Sequence, residues 1–390
     1  MEAILSRYEC KAGKMIRVLH VIPSLEKSSG IATFVYNMYR NLDETIVCDF
    51  MHQDWTNNRL IHEDAYDNEL AKLGTKIYRV TNPRCDFASF IKDVGAFFNA
   101  HGSEYDIVHC HVANAAFCVL REAKKAGIDH RLLHSHLNTS SEHPLRRLRN
   151  RPLIAIGKQY ATAYVACSEE AGRYLFVNAP YTLIRNGIPL DRFAFDKSKR
   201  REKRQELGIP DTAFVIGCVG RIAAQKNHSF AVDVFNEIQA IDSRAFLLIA
   251  GDGPLRSALE RKIDDLGLSE KVRLLGNRND VSELYSAMDT FLMPSLCEGL
   301  PFSAVEAQAA GLPCVYSTGV PRETDITCTG RFLSLDDELN SWATAVKDAY
   351  HSGRFTEATY VLEGKGYSVQ GSAYQLASLY RRLINCEITC

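Results

Sequence analysis

Glu298 and Glu306 stand eight positions apart, and Gly299, Leu300, Pro301 and Phe302 follow the first of them. An ionised carboxylate only accepts hydrogen bonds, which suits it to sugar hydroxyls. Glu298 falls in a loop after the apolar run Thr290–Met293, which reads as a buried strand. Glu306 falls about one turn into a helical pattern that Gly311 and Pro313 stop. Pro301 stands at the helix start, where a missing N–H is tolerated. A helix N-terminus offers unpaired N–H groups and a partial positive charge. Such an end can hold phosphate, while Glu298 could accept from sugar hydroxyls and Glu306 from a ribose diol. In isolation the two acids read as solvated surface groups; the surrounding sequence reverses that reading.

Two cations have a matching placement. Arg221 and Lys226 lie in the loop Gly220–His228, directly after the apolar run Ala213–Val219. Cations at the carboxyl end of a strand suit the clamping of a diphosphate. Histidines form two further pairs, His109 with His111 and His134 with His136, each at a strand end. Alternate strand residues share a face, so a metal site is conceivable, but no carboxylate or cysteine completes a ligand set. His136, last on its strand, is the candidate for hydrogen bonding or proton handling near a ligand. The other three read as structural histidines.

The elements that must hold these groups alternate. Apolar strand-like runs begin at Arg17, Val47, Lys76, Asp106, Arg131 and Ala163, with helical patterns between several of them. The turn Ser28-Ser29-Gly30 joins the first strand to a helix, where N–H groups gather around anions. A second series begins at Ala213, Ala245, Lys271 and Thr290. Such alternation predicts parallel sheets with helices on both faces and ligands beyond the strands' carboxyl ends. The charged run Lys197 to Arg204 lacks apolar periodicity and reads as a boundary. The turn Gly251-Asp252-Gly253 has the start of a dinucleotide fingerprint, but its third glycine position is Arg256.

At 390 residues the chain exceeds what one core usually supports, so two domains are expected. A net charge of -1 gives no field favouring nucleic acid. The 12 cysteines form no C-x-x-C pair and several sit in apolar runs, which argues for reduced thiols and a cytoplasmic protein. No signal peptide or membrane span is visible. The stretch His143 to Pro152 interleaves leucines with Arg146, Arg147, Arg149 and Arg151. That pattern fits the inner, anionic face of a plasma membrane as well as a solvated helix face. Residues 1–14 read as a tail.

Four motifs in order resemble the retaining nucleotide-sugar glycosyltransferases of family four: Glu298 to Glu306 as E-x7-E, Val219 to Asn227, Ala250 to Pro254, and Ile184 to Pro189. The histidine pairs and Cys167 to Gly172 are most similar to the bacterial exopolysaccharide and capsule subgroup. The resemblance implies a GT-B fold: two facing Rossmann-like domains with a cleft between them. The expected divisions are 15–185 for the acceptor domain, 186–365 for the nucleotide-sugar domain, and 366–390 as a helix returning to the first. It implies that Arg221 and Lys226 hold the diphosphate and that Glu298 contacts the donor sugar. Glu306 would bind ribose, and His136 would lie near the reacting sugar. Gly30 would shape the N-terminal phosphate loop, and Gly251, Gly299, Leu300, Pro301 and Phe302 would line the donor site. Where the family often has Gly-Gly, this chain has Ser29-Gly30.

The chemistry expected from the resemblance is hexosyl transfer with retention, from a UDP-sugar to a lipid-diphosphate-linked glycan. No D-x-D occurs, so no metal or other cofactor is expected. A GT-B nucleotide-sugar epimerase, which needs no acceptor, and a non-catalytic sugar-nucleotide-binding protein are the alternatives. An NAD-dependent oxidoreductase is disfavoured by the incomplete fingerprint.

Overall fold

The computed structural model describes residues 15–27, 29–56, 59–60, 65–136 and 144–385. The expected tail 1–14 and the first residue of the basic stretch, His143, lie outside them. Two sheets organise the chain. The first contains β1 (Ile16–Ile22), β2 (Ile46–Thr56), β3 (Arg59–Leu60), β4 (Ile77–Thr81), β5 (Ile107–Cys110), β6 (His130–Ser135), β7 (Ala163–Ala166) and β8 (Thr182–Leu183). Its order is β3-β2-β1-β5-β6-β7-β8, with β4 also paired to β2. Only the short β3 runs antiparallel to its partner among the pairings described.

The second sheet contains β9 (Phe214–Val219), β10 (Ala245–Ala250), β11 (Val272–Gly276), β12 (Thr290–Met293), β13 (Cys314–Ser317) and β14 (Arg331–Leu333). Its order is β11-β10-β9-β12-β13-β14, parallel throughout. Every residue of β10, β12 and β13 is buried, because helices cover both faces. This is why these strands read as continuous apolar runs without alternation.

The chain forms two compact units. Among the described residues, one comprises those up to His134, then Arg149–Tyr164 and Ala373–Asn385; the other comprises those within Ser135–Leu148 and Val165–Ser372. In the first unit the helix Val369–Asn385 contributes Tyr380, fully buried, and Arg381, which pairs with Asp43.

The charged run at 197–204 is not a boundary. It is the first part of a helix, Lys197–Glu206, capped by the Asp196 carboxylate on the N–H groups of Ser198 and Lys199. Arg204 is fully buried; it donates to Asp289 Oδ2 at 2.7 Å and to the Ala287 carbonyl at 3.0 Å. Arg200 takes the other Asp289 oxygen at 2.6 Å. A buried arginine needs such partners, and they lie on other segments of the chain, so composition alone did not reveal the helix's inner face.

Candidate active site

In the second sheet, β9 and β12 are neighbours, yet the chain leaves them in opposite directions: β9 leads toward β10 and β12 toward β13. The strand order thus reverses between them, and the carboxyl ends of strands at such a switch point are the usual ligand position in these sheets. The β9 loop carries Arg221 and Lys226. The β12 loop carries Glu298, Gly299, Leu300 and Pro301.

Backbone contacts fix both loops. Gln225 donates from its amide to the Cys297 carbonyl at 2.8 Å, and Leu296 N–H donates to the Gln225 carbonyl at 2.8 Å. Glu298 N–H reaches the Gly319 carbonyl at 3.0 Å. Lys226 closes a single 3₁₀ turn, and Asn227 then takes a left-handed conformation (φ 54°, ψ 42°) to start the helix His228–Ile241. These constraints bring Lys226 Nζ and Glu298 Oε1 to 2.8 Å, with both side chains largely buried. Arg221 is exposed on the same loop.

The glycine turn after β10 supports this loop from beneath. Gly251 has φ +140°, and a Cβ there would meet the Gly220 carbonyl oxygen at 2.0 Å. A Cβ on Gly253 would meet the Ile222 carbonyl oxygen at 2.4 Å. The G-x-G spacing is thus required by close backbone packing against residues 220–222, whatever else Gly251 touches.

Beyond Glu298, the helix Phe302–Ala309 starts at Pro301, which is its N-cap (φ −72°, ψ 126°). No side chain caps this end and its first turn carries no acid. Asn186 donates to the Leu300 carbonyl at 2.8 Å and pins the loop just before the helix. Gln308 anchors the other end: it donates to the Ala304 and Thr324 carbonyls and accepts from the N–H groups of Ile326 and Thr327. Glu306 lies between, half-buried, with Oε2 at 2.9 Å from the Tyr285 hydroxyl. Burial pushes the Glu306 carboxyl up to about 7, against the hydrogen bond from Tyr285 and the charges of Arg192 and Lys226.

The first unit gathers His20, His109, His111 and His134. His20 on β1 lies opposite His109 on β5 in register. His111 Nε2 is 2.9 Å from His20 Nδ1, and His20 Nε2 is 3.3 Å from the Tyr380 hydroxyl. That hydroxyl is 2.7 Å from His109 Nδ1, and His109 Nε2 is 3.1 Å from His134 Nδ1. Four imidazoles and one phenol thus form a continuous buried chain. Nitrogens of His20, His109 and His111 also lie within 4.8 Å of one another, near enough to share a cation. Burial holds the His20 imidazole down to about 3. His136 follows β6 and is half-buried. Gly30 is the first residue of the helix Gly30–Tyr39, whose N-cap is Ser29; the Ser29 hydroxyl accepts from Ala32 N–H.

A family model for glycosyl transferases group 1 matches residues 199–357. EpsF of Bacillus subtilis (strain 168), provisionally assigned as a glycosyltransferase, is 33% identical over 386 residues, covering 93% of this chain and 96% of its own length. The chain belongs to the group 1 glycosyltransferases. An Escherichia coli relative, UDP-Gal:alpha-D-GlcNAc-diphosphoundecaprenol alpha-1,3-galactosyltransferase, is 29% identical over 249 residues, 60% of this chain and 64% of that one. Anabaena HepE, solved with UDP and glucose, gives a TM-score of 0.76 at 16% identity over 93% of this chain and 99% of its own. Sucrose-phosphate synthase from Thermosynechococcus elongatus gives 0.76 at 18% over 95% and 100%. These two share the fold, which is GT-B.

In this group 1 glycosyltransferase, Arg221, Lys226, Gly251, Glu298, Gly299, Leu300, Pro301, Phe302 and Glu306 all belong to the second unit, on loops and a helix beyond the carboxyl ends of its strands. Gly30 belongs to the first unit, whereas His136, directly after β6, falls in the second. Sequence reasoning missed Tyr285, Asn186, His20 and Tyr380. Asn186 lay inside a motif already singled out, and His20 lay in a strand opposite the first histidine pair. Tyr285 and Tyr380 are single polar groups on amphipathic helices, and only tertiary contact distinguishes them. No helix among the described residues is long and apolar enough to cross a membrane.

Proposed function

We propose that this glycosyltransferase moves a hexosyl residue, with retention, from a UDP-sugar to a lipid-diphosphate-linked glycan in the assembly of an exopolysaccharide or capsule. The observation that carries the donor half is the switch point between β9 and β12. There, Lys226 meets Glu298 at 2.8 Å and its charge acts on Glu306, and the helix Phe302–Ala309 starts just beyond Glu298 without a side-chain cap. Breaking the anomeric C–O bond leaves a nucleoside diphosphate with added negative charge. Arg221, Lys226 and the N–H groups at the start of the helix Phe302–Ala309 are preorganised donors for that charge. Glu298 accepts from donor-sugar hydroxyls and Glu306 from the ribose diol. This reading gives the diphosphate its positive partners from protein groups and requires no metal. His136 is assigned to the reacting sugar, Gly30 to the N-terminal phosphate loop, and Gly251 to the support of the cationic loop.

The acceptor half is supported by the E. coli relative, whose acceptor is a diphosphoundecaprenol-linked sugar, and the nucleotide by HepE, solved with UDP. A lipid-linked acceptor also calls for a membrane contact. The helix Pro144–Tyr160 exposes Leu145 and Leu148 beside Arg146, Arg147 and Arg149, a composition suited to an anionic surface. The protein would then act at the inner face of the plasma membrane.

The test is donor turnover. Purified protein is incubated with UDP-, GDP- and ADP-sugars, with and without a membrane lipid extract, and nucleoside diphosphate release is followed. Release from UDP-sugar alone, stimulated by lipid and abolished in Glu306→Ala, is the expected result. Sugar conversion without acceptor would point to an epimerase. An inverted anomeric signal in the product's NMR spectrum would overturn retention.

A further inference from the structure

We infer that Tyr285 is a positioning residue for the donor nucleotide: its hydroxyl holds Glu306 Oε2 and so leaves Oε1 as the acceptor for the ribose diol. The inference rests on the reading of Glu306 as the ribose ligand and adds the group that orients it.

Tyr285 lies on the helix Val281–Ala287 and is fully buried. Its ring packs edge-on to Phe291, with centroids 6.0 Å apart, and to Phe193 at 6.1 Å. Both are core residues, so the hydroxyl is held at a fixed point. That point is 2.9 Å from Glu306 Oε2 and 3.1 Å from the Ser303 carbonyl. A phenol has one proton to give, and a carboxylate competes for it better than a neutral carbonyl. The backbone is fixed as well: Arg354 donates to the carbonyls of Tyr285 and Ser286 at 3.0 and 2.9 Å.

A glutamate on a helix has three rotatable bonds, and a two-hydroxyl ligand is recognised only when its carboxylate plane is set beforehand. Tyr285 supplies that constraint. It also favours the ionised form, which alone accepts from both hydroxyls. The other charged groups acting on Glu306 are Arg192 and Lys226, and Cys314 stands behind Tyr285. The helix Ala358–Gly364, packed against the helix of Glu306, buries Ala358 and Leu362, which do not titrate.

The sign of the pH effect follows. Burial raises the Glu306 carboxyl and the Tyr285 bond lowers it, so losing the hydroxyl raises it further. Tyr285→Phe keeps the ring and its packing. Calorimetry compares UDP with 2′,3′-dideoxy-UDP on wild type, Tyr285→Phe and Glu306→Gln between pH 5.5 and 8.5. In wild type, UDP should bind more tightly than the dideoxy analogue, with an advantage that grows as pH rises through the Glu306 midpoint. In Tyr285→Phe, UDP should weaken about 5- to 20-fold at pH 7, the midpoint should move up, and dideoxy-UDP should bind as before. In Glu306→Gln the pH dependence should vanish. An unchanged midpoint and unchanged UDP affinity in Tyr285→Phe, with wild-type discrimination intact, overturn this inference alone. Wild type that binds the two nucleotides alike overturns the ribose reading of Glu306 and this inference with it.

Discussion

Lys226 Nζ lies 2.8 Å from Glu298 Oε1, and both side chains are largely buried. The contact is an ion pair without the alignment of a hydrogen bond at Oε1. The two residues come from different loops, brought side by side because β9 and β12 are neighbours and tied by the Gln225 hydrogen bonds to Leu296 and Cys297. On the proposed donor-site reading each serves two ends: it neutralises the other, and it contacts the donor.

Lys226→Ala separates the two ends. It should lower kcat/KM about 10²- to 10³-fold, the usual effect of removing one preorganised donor to developing charge. It should also destabilise the fold by about 3 kcal/mol, because Glu298 is left buried without its counter-charge. The double variant Lys226→Met/Glu298→Gln should regain most of the stability and none of the activity. Urea titrations beside initial rates decide this; stability unchanged in Lys226→Ala would show that the pair carries no structural load.

Gly251→Ala tests the support beneath the cationic loop. Its Cβ would lie 2.0 Å from the Gly220 carbonyl oxygen, and φ at this residue is +140°. The backbone must move, so the variant should lose about 2 kcal/mol or more. Its KM for the donor should rise as Arg221 and Lys226 shift. A variant with native melting temperature and native KM would count against the packing account of the G-x-G spacing.

Tyr380→Phe removes the group shared by His20 and His109 in the first unit. The cost should be about 1–3 kcal/mol. Buried histidines in both units also make stability depend on acid. Unfolded, a histidine takes up its proton near 6.5; folded, burial holds His20 neutral down to about 3, and burial with the Lys226 charge holds His228 neutral to about 4. Their contribution is whole above pH 6.5 and is lost as pH falls from there toward those lower values. For each such group the slope reaches about 1.4 kcal/mol per pH unit. Urea midpoints measured from pH 7.5 to 5 should fall accordingly, and less steeply in His20→Phe. A flat profile would contradict the neutral buried state.

Charge reversal at Arg146, Arg147 and Arg149 tests the membrane contact. All three side chains are exposed on the helix Pro144–Tyr160. Sedimentation with phosphatidylglycerol vesicles should show weakened binding, about 1 kcal/mol for each lost basic residue, while UDP affinity stays unchanged. Vesicle binding equal to wild type would remove this surface from the proposal.

The α/β architecture was legible because buried parallel strands are unbroken apolar runs, as Ala245–Ala250 and Phe214–Val219 show. The loops after β9 and β12 were legible because glycine, proline and charge cluster after those runs. What stayed hidden depends on partners distant in the chain. Arg204 looked like one more solvated cation in a charged run, since nothing near it announces Asp289, 85 positions away. Tyr380 is 271 positions from His109, and its helix has the same pattern as many surface helices. The histidine pairs were read as separate strand ends, whereas His20 and Tyr380 join them into one structure.

That joined structure has a polarity. A neutral imidazole carries one N–H and one bare nitrogen, and a phenol has one proton to give. His20 and His109 each engage both nitrogens in the chain. If Tyr380 gives its proton to His109, then His109 gives to His134, His20 gives to Tyr380, and His111 gives to His20. If Tyr380 gives to His20, every one of these is reversed. The tautomers of residues on β1, β5, β6 and the last helix are therefore a single two-valued choice, and a change at His134 is felt at His111 without any atom heavier than hydrogen having to move.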